Sequence, residues 1–153
     1  MAGLTLLETA AGSVPTPAST KWTMFIDSAG STKLKDDAGV VTTIGADIPQ
    51  NSQSAAYGLV LTDAGKHILH PSADTTARTW TIPANASVAY PIGTVITFVN
   101  QNAGGVITIA ITTDTMRLAG AGTTGSRSLA ANGIATALKI TSTEWIINGT
   151  GLT

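Results

Sequence analysis

Between Trp22 and Gly45 the chain alternates apolar and polar residues through three short runs, "KWTMFID", "TKLKD" and "VVTTIG". Turn formers at Ser28-Ala29-Gly30 and Asp36-Asp37-Ala38-Gly39 separate the runs, so the pattern predicts a small β-meander. Successive side chains of a strand point to opposite faces. Trp22, Met24, Ile26, Leu34, Val40 and Ile44 therefore share one apolar face, while Lys33, Lys35 and Asp37 point the other way. A three-stranded sheet with one apolar face needs a cover, and little neighbouring chain is at hand to supply it.

From residue 57 onward the same period of two recurs in short pieces. It predicts strands near 58–62, 67–70, 77–82, 94–100, 106–112, 134–141 and 143–148. In "VITIAIT", Ile107, Ile109 and Ile111 oppose Thr108, Ala110 and Thr112. Trp80 with Ile82, and Trp145 with Ile147, repeat the alternation, which assigns both tryptophans to a core. The segments between, "IPANASVAYPIG", "NQNAGG" and "LAGAGTTGSRSLAANG", are rich in turn formers. Many short strands at this spacing predict an all-β fold, an antiparallel, jelly-roll-like sandwich and not a βαβ unit. Residues 1–20, with Pro15 and Pro17, read as an extended N-terminal arm. Residues 21–48 hold the meander, a Pro49-containing linker follows, and 55–153 form the sandwich domain. No exact internal repeat of solenoid length is present.

Composition narrows the function. Of 153 residues only 11% are charged and the net charge is −1, which gives no electrostatic grip on nucleic acid or an anionic membrane. Thr is the commonest residue, Gly reaches 16 and aromatics are 5%, a composition that favours strands over helices. The absence of cysteine rules out disulfides and thiolate metal sites. Glu8 interrupts an N-terminal apolar run that carries no basic leader, so no signal peptide is expected. No apolar run reaches the roughly 18 residues of a membrane span, so no membrane insertion is expected either.

Candidate chemistry is thin. Gly120, Gly122 and Gly125 fit G-x-G-x-x-G, but "SRSLAANG" supplies no helix N-terminus for a pyrophosphate. His67 and His70, three apart on a strand, turn to opposite faces and cannot easily chelate one ion, although Asp74 is placed to join one of them. Only three chains around an axis would bring three copies of one histidine together. Ser126 lacks a nucleophile elbow, and nothing singles out a pair among Asp63, Asp74, Asp114 and Glu144 for glycoside hydrolysis. Asp36-Asp37 reads as turn chemistry, and "NAS" at Asn85 and "NGT" at Asn148 mean little without secretion. No enzyme, cofactor or metal is expected.

The stretch "PTPASTKWTMFIDSAGSTKLKDDAGVVTTIG" resembles a segment common in tailed-bacteriophage fibre and other virion proteins. The matching positions are Pro15, Pro17, Asp27, Gly30, Leu34, Lys35 and Asp36 to Gly39, with the strand to Gly45. The second half is similar to a C-terminal module of phage structural proteins. Its landmarks are "DAGK" at 63–66, "IPAN" at 82–85, "PIGT" at 91–94, "NQNAG" at 100–104 and the late Lys139 and Trp145 strands. The resemblance implies a virion surface component, a capsid decoration or short head fibre, assembled as a homotrimer. Each meander would then lay Trp22, Met24, Ile26, Leu34, Val40 and Ile44 against two neighbours. Leu4, Leu6 and Leu7 would anchor the arm on the major capsid protein or another virion protein. Two other readings stand beside it: a tail fibre or spike-associated protein, and a carbohydrate-binding module for a host surface glycan. The last predicts exposed aromatic platforms, with Tyr57 and Tyr90 as glycan contacts.

Overall fold

The computed structural model describes residues 9–45, 47–102 and 104–153. Leu4, Leu6 and Leu7 lie outside the described residues. The chain divides into two compact units, Met1–Asp47 and Ile48–Thr153.

In the first unit β1 (Thr23–Ile26), β2 (Thr32–Lys35) and β3 (Val41–Thr43) form the expected antiparallel meander, in the order β1-β2-β3. Asp side chains close both turns. Asp27 Oδ1 accepts the N–H groups of Ala29 and Ser31, and Asp36 Oδ1 those of Ala38 and Val40. Gly30 and Gly39 take the positive φ that each turn requires. Register places Met24 beside Leu34 and Leu34 beside Thr42 on one face, and Phe25 beside Lys33 and Lys35 beside Val41 on the other. The arm closes onto this second face. Thr9 N–H donates to the Ile26 carbonyl, a 3-10 turn spans Ala11–Ser13, and Val14 is buried. Lys35 crosses underneath, its Nζ donating to Val14 O at 2.6 Å and to Ala11 O at 3.4 Å. The described part of the arm is therefore folded against the meander and does not stand free.

The second unit is the expected all-β sandwich. Its strands are β4 (Gln50–Ser52), β5 (Tyr57–Gly58), β6 (His67–His70), β7 (Arg78–Ile82), β8 (Val95–Asn100), β9 (Ile107–Ile111), β10 (Thr115–Leu118), β11 (Arg127–Lys139) and β12 (Glu144–Leu152). The strand directions differ from a jelly roll. β4, β6 and β8 pair in parallel, with Gln50 opposite His67 and His67 opposite Thr97. β5, β7 and β9 do the same, with Tyr57 opposite Trp80 and Trp80 opposite Ile109. Successive strands thus alternate between two layers, and the chain winds through three coils. A parallel ladder needs a crossover between its strands, and here each crossover contains a strand of the opposite layer. Antiparallel pairing is confined to the ladders of β11, which joins β9 through Arg127–Leu129 and β8 through Ile134–Leu138, and carries β12 alongside. β10 adds to β12 in parallel.

Alternation delivers the core. Ile68, Ile96, Phe98, Ala135, Ala137, Trp145 and Ile147 from one layer face Trp80, Ile82, Ile107, Ile109 and Leu129 from the other. Trp80 stacks on Phe98 with ring centroids 6.2 Å apart, and the Tyr90 ring meets Trp145 edge-on at 5.5 Å. Both tryptophans are buried as the pattern requires.

For β11 to serve both layers it must bend, and the bend falls at Ala130–Gly133. Its register shifts there, Asn132 adopts a φ of 57°, and a Cβ at Gly133 would meet Ala130 O at 2.8 Å. Carbonyls that leave a ladder inside a core need other donors. Asn100, fully buried at the end of β8, supplies them: its Nδ2 donates to Leu129 O, Ala130 O and Gly105 O at 2.9–3.2 Å. Its Oδ1 accepts the Asn102 N–H and faces His70 Nδ1 at 3.0 Å. Replacing Asn100 with Leu strands these carbonyls at about 1–3 kcal/mol for each one left unpaired. Urea unfolding of Asn100→Leu is expected to show a loss of about 3 kcal/mol or more against the native chain, with unchanged m-value.

Candidate functional site

Four places in the molecule are candidates, and each is best judged by what its side chains touch. The meander face comes first. Trp22 is 60%, Met24 46%, Val40 57% and Ile44 43% exposed, while Ile26 and Leu34 are half-buried between them. The register puts Met24, Ile26 and Leu34 on one side of the sheet, and the alternation carries Trp22, Val40 and Ile44 to the same side. The polar side is occupied by the arm and by Lys33, which pairs with Asp27 at 3.2 Å and donates to Thr43 Oγ1. An exposed apolar face of this kind is a candidate interaction surface and supplies no acid or base.

The two tyrosines proposed as glycan platforms are not platforms. Tyr90 is buried at 3% exposure, its ring against Trp145 and its hydroxyl donating to Val60 O at 2.6 Å. Burial pushes its pKa up, with the Asp63 charge adding to the effect. Tyr57 is half-buried, and its hydroxyl donates to Asp63 Oδ2 at 2.8 Å, which with burial raises its pKa too. Both residues flank turns, as the sequence indicates, but their hydroxyls turn inward, Tyr57 to the Asp63 carboxylate and Tyr90 to a backbone carbonyl. Asp63, nearly fully buried, also accepts from Asn51 Nδ2 and from the Val60 N–H. Every oxygen of that carboxylate is engaged, so the cluster is structural.

His67 and His70 do point to opposite faces of β6. His70 is fully buried, edge-on to Trp80, with Asp74 Oδ2 3.0 Å from its Nε2. Arg78 grips the same carboxylate from outside, through Nε at 2.8 Å and Nη2 at 3.1 Å. That fork is the main reason the Asp74 pKa is held well below the usual carboxylate range, with His70 and the Thr76 N–H assisting. Asn102 ties the turn shut from the other side by donating to the Asp74 carbonyl. Among the described residues no three His, Asp or Glu side chains gather as metal ligands.

Last is a concavity of about 290 Å³ on the outer face of β8, β11 and β12, lined by Val95, Thr136, Leu138, Ile146 and Asn148 among others. None of its lining side chains titrates, so it provides no acid, base or charged nucleophile. Gly120, Gly122 and Gly125 all adopt positive φ and belong to the irregular connection from β10 to β11, with no helix following. What sequence reasoning missed is the buried polar set of Asn100, Asn102 and Lys139. Their signal lay in the alternation itself, since Asn100 and Lys139 occupy inward positions of their strands.

Comparison with models of known protein families and with curated proteins gives no match.

The Asp74 cluster makes a pH prediction. A carboxylate whose folded pKa is depressed adds stability above the ordinary carboxylate range and loses it as pH falls through that range toward the folded value. Asp74→Asn is expected to be less stable than the native chain near neutrality, and the gap is expected to narrow steadily below about pH 4. Urea midpoints of both proteins across that range give the readout.

Proposed function

We propose that this chain is a non-enzymatic structural protein of a tailed-phage virion, a capsid decoration or short head fibre. It forms a homotrimer through its meander, is anchored on the major capsid protein or another virion protein by its N-terminal part, and displays its second unit. The observation that carries the reading is the uncovered apolar face. One side of the meander is closed by the chain's own arm, and the other leaves Trp22, Met24, Val40 and Ile44 in water. Two neighbouring copies around a threefold axis supply an identical apolar surface to each such face, and a closed ring leaves none exposed. Burying a fully exposed large apolar side chain contributes about 1.5–3 kcal/mol, so four positions that are roughly half exposed contribute on the order of 3–6 kcal/mol per chain. That is comparable with the lower end of the cost of association, about 4–15 kcal/mol, so single residues should decide assembly. The resemblance of residues 15–45 and of the later landmarks to virion proteins supports the class. The glycan-module reading loses its support with the burial of Tyr90 and the engagement of Tyr57.

Light scattering on the full chain is expected to give three times the 15.4 kDa chain mass. Trp22→Ser combined with Met24→Ser is expected to give monomers whose β-sheet circular dichroism is unchanged. A monomeric native chain would sink the shared-core reading. The virion assignment is checked separately by mass spectrometry of gradient-purified particles from the source culture: the chain should sediment with capsids, and its confinement to the soluble fraction refutes it.

A further inference from the structure

Lys139 ends β11 on its inward side and is 1% exposed. Its Nζ donates to Asn85 Oδ1 at 2.6 Å and to Tyr90 O at 2.9 Å, and it sits 5.8 Å from the centre of the Trp145 ring. Among the described residues no carboxylate lies within 4.0 Å of it. A buried ammonium without a counter-ion is costly, whereas a buried amine in contact with a carboxamide is poised for acyl transfer. The carbonyl carbon of Asn85 is one C=O bond length, about 1.2 Å, beyond the contacted oxygen. Asp114 stands beside the same residue, its Oδ2 accepting the Asn85 backbone N–H at 2.9 Å. Its Oδ1 makes no hydrogen bond among the described residues.

We propose that Lys139 and Asn85 join in an intramolecular isopeptide bond, formed without any other reactant. The reaction needs the unprotonated amine: rotation about Cε–Nζ turns its lone pair onto Asn85 Cγ, and the Nζ–Cγ bond forms as the carbonyl π pair moves to Oδ1. One amine hydrogen passes to Nδ2, a transfer we assign to the Asp114 carboxylate because it already holds the Asn85 backbone N–H. The Cγ–Nδ2 bond then breaks, the carbonyl re-forms, and one ammonia departs. No electrons are gained or lost overall. Enclosure supplies what the reaction lacks in solution, since well-oriented intramolecular partners reach effective molarities of about 10⁵–10⁸ M. The aromatic wall of Tyr90 and Trp145 keeps water from the amine. The cross-link fastens the loop before β8 to the end of β11, and it does not depend on the virion reading.

The test is the intact mass of the full chain, denatured after folding, followed by proteolysis and tandem mass spectrometry. The expected result is a chain lighter than its sequence by one ammonia, with a branched peptide joining residues 85 and 139. Lys139→Arg and Asn85→Ser should each have the full sequence mass. Asp114→Asn, which keeps both partners, should slow the appearance of the lighter species after refolding. A native chain at full sequence mass with no branched peptide overturns the proposal. So does a lighter chain whose Lys139→Arg variant is equally light, because that pattern marks cyclisation at an asparagine instead.

Discussion

The carboxamide of Asn100 is the joint on which the second unit turns. One amide nitrogen holds the carbonyls of Leu129 and Ala130, which the bend of β11 removes from their ladders, and that of Gly105, which opens the approach to β9. The same group's oxygen receives the Asn102 N–H and faces His70, so the turn after β6 is fixed to it as well. Without such a donor a strand of 13 residues could not pass from one layer to the other inside a dry core. Gly105 shows how close the fit is, since a Cβ there would come within 2.9 Å of the Thr76 backbone. The bend of β11, the Gly105 approach and the turn after β6 meet at this one amide.

The two units solve the problem of coverage in opposite ways. The second unit winds on itself until each inward face meets another layer, and its large apolar side chains reach near-zero exposure. The meander is too short to do so and recruits the arm for one face only. There the cover is partly polar, for Lys35 spends its charge on backbone carbonyls of Ala11 and Val14. The remaining face carries exposed large apolar side chains, Trp22 and Met24 among them.

Strand existence and facing were legible in the sequence because both depend on a period of two. The runs at 67–70, 77–82, 94–100 and 106–112 match β6 to β9 within a residue at each end, and the burial of Trp80 and Trp145 followed from their neighbours. Strand direction was not legible, since alternation is blind to whether a partner runs up or down. β4, read as linker, is polar because it sits at an edge, and the first half of β11 was obscured by Asn132-Gly133, which looks like a turn but is a bend within a strand. On the meander the exposure of Trp22, Met24, Val40 and Ile44 was legible from the alternation. The expectation of exposure failed for Tyr57 and Tyr90, whose inward hydroxyl contacts come from residues distant or unmarked in sequence.

The position of β11 in the chain also has a consequence for the order of folding. The three coils laid down by β4 to β9 end with open inner edges on β8 and β9, and both edges are closed only by β11, with β12 completing the layer. A chain emerging from the ribosome therefore carries open edges on β8 and β9 until β11 appears, and parallel, non-local pairing is intrinsically slow. Closure should be late and cooperative, because one strand, β11, has to seal the inner edges of β8 and β9 together.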